Sequence, residues 1–88
     1  MLTKITNQKV QDDELGYVVQ VADRFNLEYL EPQRTARIEV EFGASVGIYK
    51  DSLHNWVGGN PLTAAEKELV IARIKNALQF MGSKTEIC

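Results

Sequence analysis

The segment "ARIEVEF" (36–42) alternates without a break, with Ala36, Ile38, Val40 and Phe42 on one side and Arg37, Glu39 and Glu41 on the other. Successive side chains of a strand point to opposite faces, so this period of two predicts a strand with one buried and one wet face. Such strands belong to antiparallel sheets covered on one side only. The fold then turns on what pairs with this strand and what covers it.

Its neighbours supply the pairing. "GAS" (43–45) is a tight turn, and "VGIYK" (46–50) returns as a partner strand. Upstream, "LGYVVQVA" (15–22) is rich in β-branched and aromatic residues, with Tyr17, Val19 and Val21 on one face. In "FNLEYL" (25–30) Phe25, Leu27 and Tyr29 alternate with Asn26 and Glu28. Asp23 and Arg24 suggest a turn between these two, and Pro32 in "EPQRT" pre-sets the next. Strands joined by such short turns describe a meander. "KTEIC" (84–88) is β-like and is placed as a final strand, whereas "MLTKITNQKV" (1–10) reads as an edge strand or as a frayed arm.

The lid is "NPLTAAEKELVIARIKNALQFMG" (60–82). Thr63 and Glu66 have capping-box spacing, in which each side chain takes the other's backbone N–H. Val70, Ile71, Ile74, Ala77, Leu78 and Met81 recur at three- and four-residue steps, while Arg73, Lys75, Asn76 and Gln79 fall on the wet side. Gly82 suits the left-handed conformation that ends helices. The expected fold is a single α+β domain over residues 1–88. It is an antiparallel meander of four to six strands, with one long C-terminal helix packed on one face.

Composition narrows the function classes. The chain has 44% hydrophobic and 25% charged residues, as globular domains do. Ten basic against twelve acidic residues leave a net charge of −2, without the dense basic patch that nucleic-acid binding requires. No apolar run is long enough for a membrane span or a signal peptide. The single cysteine, Cys88, excludes an internal disulfide and fits a reducing compartment, so a cytoplasmic location is expected. One His and one Cys cannot build a structural zinc site, and no cofactor motif is present.

The connector "IYKDSLHNWVGGNPL" (48–62) holds the only His and the only Trp. "KDSLHNW" (50–56) fits one helical turn, capped by Asp51, with Leu53 and Trp56 on one side. Ser52 and His54 stand two apart and point away from each other in such a turn, which is poor geometry for a nucleophile and its base. Trp56 reads as a core plug or as an anchor on a binding surface. Glu39 and Glu41, about 7 Å apart along a strand, have the spacing of an inverting carboxylate pair and equally that of a solvated strand face. Asp12, Asp13 and Glu14 lack the pattern of a calcium loop and read as a solvated turn.

At "VGIYKDSLHNWVGGNPLTAAEKELVIARIKNAL" (46–78) the chain resembles the C-terminal half of small immunity proteins from bacterial polymorphic-toxin systems. The resemblance covers residues 46–88 and rests on aliphatic-Tyr, Asp-Ser-aliphatic, Trp, then Pro, Thr, Glu-Lys and Ile at helical spacing. It implies a non-enzymatic inhibitor that binds a toxin domain and blocks its active site. Arg37, Glu39, Glu41, Tyr49, His54 and Trp56 are the candidate partner-binding residues. The alternatives are a homodimeric interaction protein of mobile-element origin, with Leu69 and Phe80 covered by a second copy, and a small enzyme using Glu39, Glu41 or His54.

Overall fold

Strand "ARIEVEF" lies inside a longer one, β5 (Arg34–Phe42), near the middle of a seven-stranded sheet. The computed structural model describes residues 1–88. Before β5 come β1 (Leu2–Thr6), β2 (Lys9–Asp12), β3 (Tyr17–Val21) and β4 (Asn26–Glu31). After it come β6 (Val46–Tyr49), helix α1 (Ala64–Phe80) and β7 (Thr85–Ile87). Spatial order equals chain order, and β1 to β6 pair antiparallel. Strand β7 instead lies parallel to β6, so α1 is the crossover of a strand–helix–strand unit appended to the meander.

The expected α+β meander with its C-terminal helix is therefore present, with one strand more than the four to six anticipated. The additional pairing comes from the N-terminal segment, which forms the hairpin β1–β2. The turn that follows also differs from expectation. Asp13 and Glu14 are exposed, but Asp12 is only 7% exposed and is no solvated turn residue. Its Oδ1 accepts the backbone N–H groups of Glu14 (2.9 Å) and Leu15 (2.8 Å), which ties the β2–β3 turn together. The Leu15 N–H is the chief reason its carboxyl is held below the usual aspartate value.

Helix α1 begins and ends on side-chain and backbone chemistry written in the sequence. Thr63 Oγ1 accepts from the Glu66 N–H (3.1 Å), and Glu66 Oε1 accepts from the Thr63 N–H (2.9 Å). At the other end Gly82 has φ 89°, its N–H donates to Gln79, and the Ser83 N–H donates to Leu78. This pair of bonds satisfies carbonyls that the helix leaves unpaired. The helix buries Val70, Ile74, Ala77 and Leu78 against sheet residues that include Val19, Leu27, Tyr29, Ile38 and Ile48. No helix is long and apolar enough to cross a membrane.

The connector departs from the expected helical turn. Only Lys50–Ser52 are helical, as a 3₁₀ turn, and Asp51 makes no cap. Residues beyond it are extended: Trp56 bridges Ala36, Asn55 bridges Pro61, and the Val57 N–H donates to the Thr35 carbonyl at 2.7 Å. The cause is a mismatch in length. Strand β5 runs nine residues and β6 only four, so the first half of β5 would face outward with unpaired backbone groups. Trp56 and Val57 fill that gap, and this pairing outweighs the local helical preference. Gly58, at φ 68°, then turns the chain toward α1.

Candidate functional site

Alternation in the strands divides the sheet into a helix-covered face and an outer face. Register places Gln20, Glu28 and Arg37 in one row across β3, β4 and β5, and Asn26, Glu39 and Tyr49 in the next across β4, β5 and β6. A third row runs Glu41, Gly47, Glu86 across β5, β6 and β7. Four of the candidate residues, Arg37, Glu39, Glu41 and Tyr49, therefore share one continuous surface on which no second layer of the chain lies.

Side chains on this face are tied to one another. Gln20 Nε2 donates to Glu28 Oε1 (3.0 Å), and Arg37 Nε stands 3.6 Å from Glu28 Oε2. The Tyr49 hydroxyl donates to Glu41 Oε2 at 2.6 Å. That bond raises the phenol pKa, because ionising it would place a second negative charge beside the carboxylate. Ser52 Oγ donates to the Tyr49 carbonyl (2.6 Å) and accepts the Glu39 N–H (2.8 Å). Its proton is thus committed to a backbone oxygen, and its role is to lock the 3₁₀ turn onto β5.

The remaining two candidates lie elsewhere. His54 is exposed on the connector, where its carbonyl accepts from the Leu62 N–H (3.0 Å). Trp56 is 6% exposed and belongs to the core on the helix-covered side, 6.3 Å from the Tyr29 ring.

A second polar arrangement, not anticipated from sequence, seals the seam between α1 and the sheet. Tyr29 donates its hydroxyl proton to Glu31 Oε2 (2.6 Å) and accepts from Arg73 (2.8 Å). Arg34 reaches Glu31 (2.8 Å) and Glu66 (2.7 Å), with its guanidinium 3.9 Å above the Trp56 ring. Arg73, expected on the wet side, lies over the Tyr17 ring at 4.9 Å. These residues come from β3, β4, β5, the connector and α1, and the hydrogen-bonding pairs are up to 44 residues apart. Only their three-dimensional meeting identifies them. The one cue in the sequence is Glu31 and Arg34 flanking a Pro-containing turn.

Burial and the Glu31 carboxylate together push the Tyr29 hydroxyl up to about 12. Burial alone would raise the Glu31 carboxyl, but the bonds from Tyr29 and Arg34 prevail and hold it below its ordinary value of 4.5. The signs are opposite. The tyrosine, protonated more tightly when folded, contributes stability that is complete below its ordinary value of 10.0 and is lost as pH rises through about 12. The glutamate contributes stability that is complete above 4.5 and is lost as pH falls through its lowered folded value. Tyr29→Phe is expected to cost about 1–2 kcal/mol near neutral pH by removing a two-way hydroxyl bridge. In urea unfolding the variant should also show a shallower loss of stability between pH 10 and 12 than the parent chain.

Comparison of the chain with protein-family models, with curated proteins and with solved structures returns no match.

Proposed function

We propose that this chain is a non-enzymatic protein-binding domain that docks its partner on the outer face of the sheet. The partner we propose is a bacterial toxin domain, which the chain neutralises in the cytoplasm of the producing cell. The observation that carries this reading is the placement of Arg37, Glu39, Glu41 and Tyr49 in adjacent rows of one uncovered sheet surface. A pleated sheet holds such side chains at fixed spacing, so little conformational freedom is lost on docking. Charged residues of both signs guide encounter, and an aromatic at their centre supplies contact area. The resemblance of residues 46–88 to immunity proteins supports the toxin as partner.

The test is co-expression with a toxin domain, taken from the gene's neighbourhood where one is encoded there. Growth should be restored by the parent chain and lost with Arg37→Glu combined with Glu39→Lys, at an unchanged melting temperature. Growth arrest in the presence of the folded parent chain would remove the toxin reading. Protection that survives both charge reversals would move the contact off this face.

Homodimerisation is the second reading, and a specific observation favours it. Leu69 and Phe80 are 45% and 49% exposed, and their spacing places them on one flank of α1, outside the buried stripe. A second copy seated there would cover both. Light scattering tests it: a dimer converted to monomer by Leu69→Lys supports this reading, and a monomeric parent chain ends it.

A further inference from the structure

The outer face carries a shallow depression of about 430 Å³ where β4, β5 and β6 meet. It is lined by Phe25, Asn26, Glu39, Val40, Glu41 and Tyr49. Two of these are exposed aromatics, Phe25 at 60% and Tyr49 at 37%. Glu39 and Glu41 line it, and Arg24 and Lys50 adjoin the lining residues Phe25 and Tyr49 in the chain. Arg37, the nearest basic residue along β5, is turned to Glu28 in the adjoining row. Arg24 stands over the Phe25 ring at 5.8 Å and pairs with no carboxylate. Neither Glu39 nor Glu41 forms an ion pair, and Glu86 continues the acidic row across Gly47.

We infer that this groove receives an arginine or lysine side chain from a basic segment of the partner protein, its stem lying between Phe25 and Tyr49 and its cation meeting Glu39 and Glu41. The inference rests on the docking reading above and specifies the chemistry of the partner. Aromatic walls separate an organic cation from a metal ion. A ring face attracts a guanidinium or ammonium and its methylene stem, whereas calcium requires six to eight converging oxygens and no group of three or more acidic, His or Cys side chains gathers here. The Tyr49 hydroxyl bond to Glu41 Oε2 fixes that carboxylate and leaves its other oxygen to face an incoming N–H.

The experiment is a heteronuclear NMR titration of the full chain with two short peptides of equal length, one of Arg, Leu and Gly and one with Glu in place of Arg. The Arg peptide should move the amide signals of Phe25, Asn26, Glu39, Glu41 and Tyr49 saturably, and the Glu peptide should not. The double variant Glu39→Gln, Glu41→Gln and the single variant Tyr49→Ala should each weaken the Arg peptide about tenfold or more, with the dispersed spectrum of the folded chain retained. Shifts spread over acidic residues elsewhere, such as Glu14 and Glu68, or unaltered by the double variant, would show general charge attraction and overturn the inference. So would the absence of shifts. A toxin whose neutralisation is lost with Arg37→Glu but kept with Glu41→Gln would leave the docking face standing and remove this groove from it.

Discussion

Trp56→Ala is expected to destabilise the chain by about 3–5 kcal/mol, the range found when a buried aromatic is truncated to a methyl. That is a large share of the total, because domains of this size are stable by only about 5–15 kcal/mol. The indole is 6% exposed, packs near Tyr29, and carries the Arg34 guanidinium at 3.9 Å on its face. Removing it leaves a cavity under the connector and takes the apolar platform from beneath Arg34. Its Nε1 has no hydrogen-bond partner within the protein, so Trp56→Phe removes a polar group that gains nothing from burial. The Phe variant should therefore recover most of the stability lost in the Ala variant. Urea unfolding followed by far-ultraviolet circular dichroism measures both. A Trp56→Ala chain with the parent midpoint and impaired partner binding would instead make Trp56 a surface anchor.

Ile74→Ala should cost about 2–5 kcal/mol. Ile74 is fully buried in the middle of the helical stripe that meets the sheet, with Val70 and Leu78 one turn away on either side. The helix is the main cover of the sheet's buried side, so a weakened stripe loosens the whole core and not a local corner. Leu69→Ala, five positions earlier and nearly half exposed, should stay within about 0.5 kcal/mol of the parent. Equal losses at the two positions would mean that α1 docks through a different face.

Much of this architecture is legible in local patterns. The strict alternation of 36–42 assigns Arg37, Glu39 and Glu41 to the outer face before any pairing is known, and the same period places Tyr17, Val19, Leu27 and Tyr29 in the core, but it fails at the segment ends, where Phe25 and Phe42 are exposed. The capping box of Thr63 and Glu66 and the glycine at 82 bound the helix correctly, because both devices act within a few residues. What local pattern conceals is whatever depends on distant partners. The 50–56 segment has helical spacing, yet the unpaired stretch of β5 draws Trp56 and Val57 into extended pairing. Asp12 resembles its acidic neighbours in sequence and differs from them only in turning under its own loop to reach two backbone donors. Arg34 and Arg73 look like ordinary surface cations until the meander brings Glu31, Glu66 and Tyr29 to them. Among the candidate binding residues, four of six fall on one surface because their strands enforce it. His54 and Trp56 sit on a connector whose course no periodicity describes.

Because spatial order follows chain order, the first and last strands occupy opposite margins of the sheet. A tensile load applied through β1 and β7 therefore acts across the strands, in line with the inter-strand hydrogen bonds. Those bonds would yield in succession, as a zip opens, instead of resisting together in shear. Mechanically the molecule is compliant along that axis, and an unfolding motor gripping either margin would peel the ribbon one strand at a time.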